Sequence, residues 1–314
     1  MVIHQTADIV VFVGKNNNKK ETTMNKSAEV MENVAAQIIK SIESGIATGK
    51  WEKPWKGGSV ATNAVTGKQY KGGNLIALWV LGEDFGSQFY ATYKQWQSVD
   101  AQVRKGETGI KLIKWIEKKC RDHGDDVICN QCGRMIPSVF TVFNSTQVDG
   151  WSAPTGDVNE GDRIASADDY LNGVGATIKH SDEGRAYYRS SDDSITMPHF
   201  EMFKTAEGYY GTLAHELVHW TGHESRLNRD LQNKFGSDAY AAEELVAELG
   251  SAMLCATLGI EEEPRPDHAE YLAHWVSILK NDYRALWTAA SKASKAVEFI
   301  DERAVLATRE EVAS

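Results

Sequence analysis

The feature that most constrains this chain is a pair of histidines four residues apart, with a glutamate following the first, inside an apolar helix-forming run: Thr212-Leu-Ala-His-Glu-Leu-Val-His-Trp220. Positions i and i+4 share one face of a helix, so His215 and His219 can both reach one metal ion. Glu216 then projects beside that ion, where it can take a proton from a bound water. The same pentapeptide also arises in ordinary solvated helices. The rest of the chain must therefore supply what a hydrolytic zinc site needs, a third protein ligand with a fourth position left open.

Two segments offer that ligand. His223 lies four residues beyond His219, although Gly222 interrupts the helix between them. Position 225, where a metzincin would carry histidine, is Ser225. The second source is the acidic helix Ala241-Ala-Glu-Glu-Leu-Val-Ala-Glu-Leu-Gly250, in which Glu244 and Glu248 again stand at i and i+4. Glu244 is the expected ligand. Glu248 is the expected support, accepting the proton that a ligating imidazole carries on its other nitrogen. Glu243 competes with Glu244, and a plain solvated acidic face is the alternative to both. A zinc ion held in this way acidifies its water toward a pKa of ~7 and polarises a carbonyl. Glu216 would accept that proton and return one to the leaving amine. Tyr209, Tyr210, His199 and Arg226 are open candidates for the donor that faces a developing oxyanion.

Charge divides the chain. Residues 1–23 carry 3 Lys/Arg against 2 Asp/Glu, residues 24–145 carry 16 against 12, and residues 146–314 carry 15 against 30. The first half tolerates a polyanion and the second does not. No apolar stretch approaches the ~18–20 residues of a membrane helix. The run Ile9-Val-Val-Phe-Val13 lacks the basic start and cleavage site of a secretory signal, so a cytoplasmic location is expected, with residues 1–23 a polar leader.

Val34, Ile38, Ile39 and Ile42 predict an amphipathic helix over 27–49. Lysines and aromatics then interleave in Lys50-Trp-Glu-Lys-Pro-Trp-Lys56 and in Lys68-Gln-Tyr-Lys71. Single-stranded nucleic acid needs this combination, because bases stack on rings for ~1–3 kcal/mol each while cations follow the phosphates. Trp51, Trp55 and Tyr70 are the expected platforms, with Tyr90, Tyr93 and Trp96 available unless they are core. Lys53, Lys56, Lys68, Lys71, Arg104 and Lys105 are the expected cations. Ile110–Ile116 and Ser138–Phe143 read as paired strands, the first with a lysine-bearing outer face. Between them Cys120, His123, Cys129 and Cys132 have the spacing of a structural Cys3His zinc site at a hairpin tip, with His123 the weakest of the four. A disulfide is disfavoured where thiols stay reduced. Cys255 reads as core.

Gly150, Pro154, Gly156 and Gly161 mark a linker at 150–163. Beyond it, 165–172 reads as a helix and 176–180, 185–189 and 194–197 as short antiparallel strands. Amphipathic helices follow at 271–280 and 286–299.

Taken together, Trp51-Glu-Lys-Pro-Trp55, Asn63-Ala-Val-Thr-Gly-Lys-Gln-Tyr-Lys-Gly-Gly-Asn74, Arg104-Lys-Gly-Glu-Thr-Gly109, Val142-Phe-Asn144, Ala186-Tyr-Tyr-Arg189, Ile195-Thr-Met-Pro198, Ala206-Glu-Gly-Tyr-Tyr210, His215–His223 and Glu243–Glu248 resemble the ArdC-type antirestriction proteins of conjugative plasmids and phages. The resemblance spans roughly residues 27–305 and implies an α+β chain of two domains. Residues 24–149 would form a mixed α/β domain that binds single-stranded DNA and carries the Cys/His hairpin. Residues 164–314 would form a zincin-like metallopeptidase domain. It further implies protection of incoming DNA from host restriction, either by DNA binding itself or by cleavage of a host protein.

Overall fold

Two helices that meet in the second half organise the molecule. α5 (Ala206–Thr221) starts where the Thr205 hydroxyl accepts a hydrogen bond from the Gly208 N–H, and it stops at Gly222. Twelve of its 16 residues are buried, which makes it a central helix and not a surface stripe. α6 (Asp238–Leu258) is capped by Ser237 and ends at Gly259, whose φ of +69° suits a residue without Cβ. The two helices approach closely. A Cβ on Gly250 would lie 2.7 Å from a Val218 methyl, and Ser251 Oγ donates to the Gly211 carbonyl at 3.0 Å. This contact lays residues 243–248 alongside residues 215–219.

The structure is a computed structural model that describes residues 17–48, 60–117, 134–154, 160–231, 237–260 and 269–313. α1 (Asn17–Thr48) buries Val34, Ile38 and Ile42, with Ile39 partly covered, so the helix expected at 27–49 forms and begins earlier. The first sheet contains β1 (Thr62–Asn63), β2 (Phe89–Ala91), β4 (Ile110–Glu117) and β5 (Met135–Asn144), in the order β1-β2-β5-β4. α2 (Gly72–Leu81) and α3 (Tyr93–Gln97) frame it, and β3 (Gln102–Val103) pairs with β6 (Val148–Asp149) beside it. β4 and β5 form the expected hairpin, in unbroken register from Ile110–Val142 to Glu117–Met135. Cys120, His123, Cys129 and Cys132 lie outside the described residues.

In the second half α4 (Glu160–Asn172) precedes β7 (Thr177–Ser181), β8 (Tyr187–Arg189) and β9 (Ser194–Pro198). An all-antiparallel set was the expectation, and it holds only for β8 and β9. β7 pairs with β9 in parallel, giving the order β7-β9-β8. The turn at 190–193 closes a hairpin on one edge of β9, so residues 182–186 must carry the chain past it. The strand before them is left to the opposite edge. β9 is the covered strand, with Ile195 and Met197 fully buried.

α7 (Ala269–Asn281) and α8 (Arg284–Ala313) close the fold around α6. Trp275 is fully buried, and its indole donates to the Ala241 carbonyl at 2.8 Å. One apolar core runs through both halves, from Ile38 and Leu78 to Leu213, Leu249 and Ile300, and it includes Cys255. At about 1.5–3 kcal/mol for each fully buried large aliphatic side chain, this shared core is the main term holding the halves together.

Candidate metal centre

The i, i+4 spacing on α5 brings His215 Nε2 and His219 Nε2 within 3.2 Å of each other. Glu244, presented by α6, faces both: one carboxylate oxygen lies 3.5 Å from His215 Nε2 and the other 3.5 Å from His219 Nε2. Among the described residues this trio could hold a metal ion, its donor atoms all lying within 4.8 Å of one another. Two ligands about 2.1 Å from a tetrahedral ion sit ~3.4 Å apart, close to the separation of the two imidazole nitrogens. The side of each ring turned away from the trio also meets a carboxylate. His215 Nδ1 is 3.3 Å from Glu248, and His219 Nδ1 is 3.4 Å from Glu243. Carboxylates in those places fix the tautomer that leaves Nε2 free to coordinate. The donor set therefore fits a divalent cation.

His215, Glu216 and Glu248 are only 2–3% exposed, so these charges act on one another in a poorly screened space. Burial opposes charging His219, but Glu244, Glu243 and Glu216 more than offset it and raise its pKa to about 10. Burial likewise opposes charging Glu244, and the two histidines overcome it, holding that carboxyl far below its usual range. Glu243 is also lowered, burial being outweighed by His219 and Arg229. The cluster is a concentration of buried negative charge that a cation would neutralise.

Other candidates have different partners. His223 falls beyond the end of α5, and its Nδ1 faces Ser225 Oγ at 2.8 Å, away from the trio. Arg226 pairs with Asp193, donates to the Trp220 carbonyl at 2.6 Å and stacks 4.0 Å from the Trp220 ring. Tyr210 donates to Asp168 at 3.2 Å, and Tyr209 meets His180 Nε2 at 3.0 Å. His199 lies 3.6 Å from Asp182.

One buried residue carries no motif in the sequence and was missed there. Arg229 donates from Nε to both oxygens of Glu243 at 3.1 Å, and from Nη2 to one of them at 2.8 Å.

In the first half, Trp51, Lys53, Trp55 and Lys56 lie outside the described residues. Lys68 and Lys105 are exposed. Lys71 pairs with Glu298 at 2.7 Å, and Arg104 with Glu107 at 3.0 Å and Asp149 at 3.3 Å. Tyr70 is half-buried, packs against the core and accepts a hydrogen bond from Asn63 at 3.1 Å. Tyr90 and Trp96 are core, whereas Tyr93 is 42% exposed. Toward the loop end of the β4/β5 hairpin, Trp115, which the sequence pattern assigns to a half-buried strand, is 54% exposed, on the same strand as the exposed Lys111 and Lys114.

Comparison with known proteins adds an independent line. A family model described as the N-terminal domain of anti-restriction factor ArdC matches residues 28–143, and a zincin-like metallopeptidase model matches residues 165–292. The metal-free crystal structure of antirestriction ArdC protein from plasmid R388 superimposes with a TM-score of 0.71 at 35% identity, covering 88% of this chain and 97% of that one. The Mn(II)-bound structure of the same protein gives the same TM-score, 0.71. The uncharacterized protein y4eC of Sinorhizobium fredii is 40% identical over 303 residues, which is 93% of this chain and 98% of y4eC. DNA primase TraC of Escherichia coli is 39% identical over 289 residues, 86% of this chain but 27% of TraC.

Proposed function

The chain belongs to the ArdC antirestriction family, and from that membership we propose that it binds single-stranded DNA without sequence preference through its first half and protects DNA entering a host cell from restriction. The observation that carries this reading is that both halves match ArdC from plasmid R388 in one chain, over 97% of that protein. A mobile-element origin and work in the host cytoplasm go with the same reading. Exposed Lys68, Lys105, Lys111 and Lys114, together with the Trp115 ring, supply charge and stacking of the kind single strands require. Among the described residues no helix is long and apolar enough to cross a membrane.

The second half carries a metallopeptidase-like site, with His215, His219 and Glu244 as the ligands of one divalent ion, zinc by the chemistry of the donors. When bound, such an ion polarises a carbonyl and acidifies water. Glu216, buried next to the ligands, is the group placed to accept a proton and pass it to a leaving amine. Glu243 and Glu248 orient the imidazoles. A second reading, favoured by the burial of Glu216 beside the ligands, is an active peptidase that DNA binding delivers to a host protein.

Transfer of unmodified DNA into a restricting host, with the native chain or Glu216→Gln at matched abundance, separates the two. Equal protection assigns the effect to DNA binding. Protection by the native chain alone assigns it to peptide hydrolysis, and protection by neither refutes both. On the second reading Glu216→Gln keeps its metal and loses cleavage by a factor on the order of 10²–10⁴.

A further inference from the structure

Glu243 and Glu244 are adjacent on α6, both are buried, and both have a carboxylate within 3.5 Å of a His219 ring nitrogen. Only Glu244 lies in the trio that could hold a metal ion, but Glu243 is the next residue along, and two buried carboxylates converging on one ion would alter its charge and geometry. We infer that Arg229 is the positioning residue that keeps Glu243 off the metal and turned toward His219 Nδ1, leaving Glu244 as the third ligand. This inference rests on the metal site proposed above.

Arg229 is buried where the end of α5 meets Glu243 of α6. Its side chain is 6% exposed. Nε and Nη2 engage Glu243, Nη2 also donates to the Val218 carbonyl at 2.6 Å, and Nη1 donates to Thr221 Oγ1 at 2.8 Å. A planar fork of donors makes this set of contacts, and an ammonium cannot. Both Val218 and Thr221 belong to the last turn of α5, where a cation also meets the negative end of the helix. The guanidinium thus clamps the end of the histidine helix to one particular glutamate of α6. The backbone is built to deliver it. Leu227 N–H donates to the Thr221 carbonyl at 3.0 Å and Arg229 N–H to the Gly222 carbonyl at 2.9 Å, folding the loop back over α5. Asn228 takes a φ of +47° on the way. Gly222 leaves room for the returning loop, since a Cβ there would sit 2.9 Å from Leu231 Cδ2 and 3.0 Å from both Arg229 Nη2 and the His219 carbonyl oxygen.

The test uses the full chain, stripped of metal and reloaded with Co(II) or Zn(II). Affinity is read by competition with a chelator and the ligand set by the Co(II) absorption spectrum. Arg229→Gln should bind about 10–100-fold more weakly, as expected for loss of a group that orients a ligand, and its spectrum should change as Glu243 enters the ligand set. Arg229→Lys should recover only part of the affinity. In Arg229→Gln/Glu243→Gln the native spectrum should return, because the competing carboxylate is gone. A role confined to loop structure would not produce that reversal. If Arg229→Gln does not fold, Arg229→Lys, which keeps the charge but not the fork of donors, should show the same spectral change in weaker form. Native affinity and spectrum in the folded Arg229 variant would overturn the inference, and so would a double variant as altered as the single one. A native chain that binds no metal at His215 and His219 would instead fail the metal site itself and take this inference with it.

Discussion

Glu243, Glu244 and Glu248 are chemically identical and lie within two turns of one helix, yet each faces a different partner. Glu244 meets both Nε2 atoms, Glu248 meets His215 Nδ1, and Glu243 meets His219 Nδ1 and Arg229. Sequence spacing favours Glu244 over His223 but leaves Glu243 in competition with it, because adjacent helical residues differ by only 100° and both can turn toward a neighbouring helix. It cannot separate them, because the arginine that holds Glu243 comes from an irregular loop with no periodic signal. His215 and His219 were legible for the opposite reason, since their spacing is itself the geometry of the site. Removing a ligand should cost more than removing its support. Glu244→Gln should therefore weaken Zn(II) binding by more than 100-fold and Glu248→Gln by about 10–100-fold. Chelator competition measures both, and equal losses would contradict the assignment.

At the scale of elements, the helices and the β4/β5 hairpin could be anticipated because each is set by local periodicity. The parallel pairing of β7 with β9 could not, because it depends on which edge of β9 the hairpin leaves open. An ion pair ties that small sheet to the loop that follows α5: Arg226, its side chain 7% exposed, reaches Asp193 in the turn between β8 and β9. Arg226 holds the Asp193 carboxyl below its ordinary value, with burial opposing and Tyr188 assisting. A depressed carboxylate contributes stability above its unfolded pKa of ~3.9 and loses it as pH falls through the folded value. Asp193→Asn should accordingly destabilise the protein at pH 7, by about 1–2 kcal/mol since Asp193 is 39% exposed and partly screened. The gap from native should close below pH ~3.9. Denaturant unfolding at several pH values measures it, and a gap that persists at low pH would count against the pair.

For the whole molecule, the sequence shows a basic first half and an acidic second half, but not that they share a core. α2 reaches α8 so closely that a Cβ on Gly73 would fall 1.7 Å from a Trp287 ring carbon. Gly72 N–H bonds Ser294 Oγ at 2.8 Å alongside this contact. Contacts between residues more than 200 positions apart leave no local pattern to read. Gly73→Val should force the Trp287 ring aside and destabilise the chain by at least the ~1–3 kcal/mol typical of overpacking. Both halves should still melt in one transition, and a calorimetric trace with two separate transitions would contradict a shared core. The central claim is that His215, His219 and Glu244 bind one divalent ion. Its most direct test is the stoichiometry of Zn(II) bound by the metal-stripped native chain and by His215→Ala/His219→Ala. One equivalent fewer in the variant, with any binding at the cysteine segment unchanged, is the predicted result. The same number of equivalents at the same affinity in both chains would contradict it.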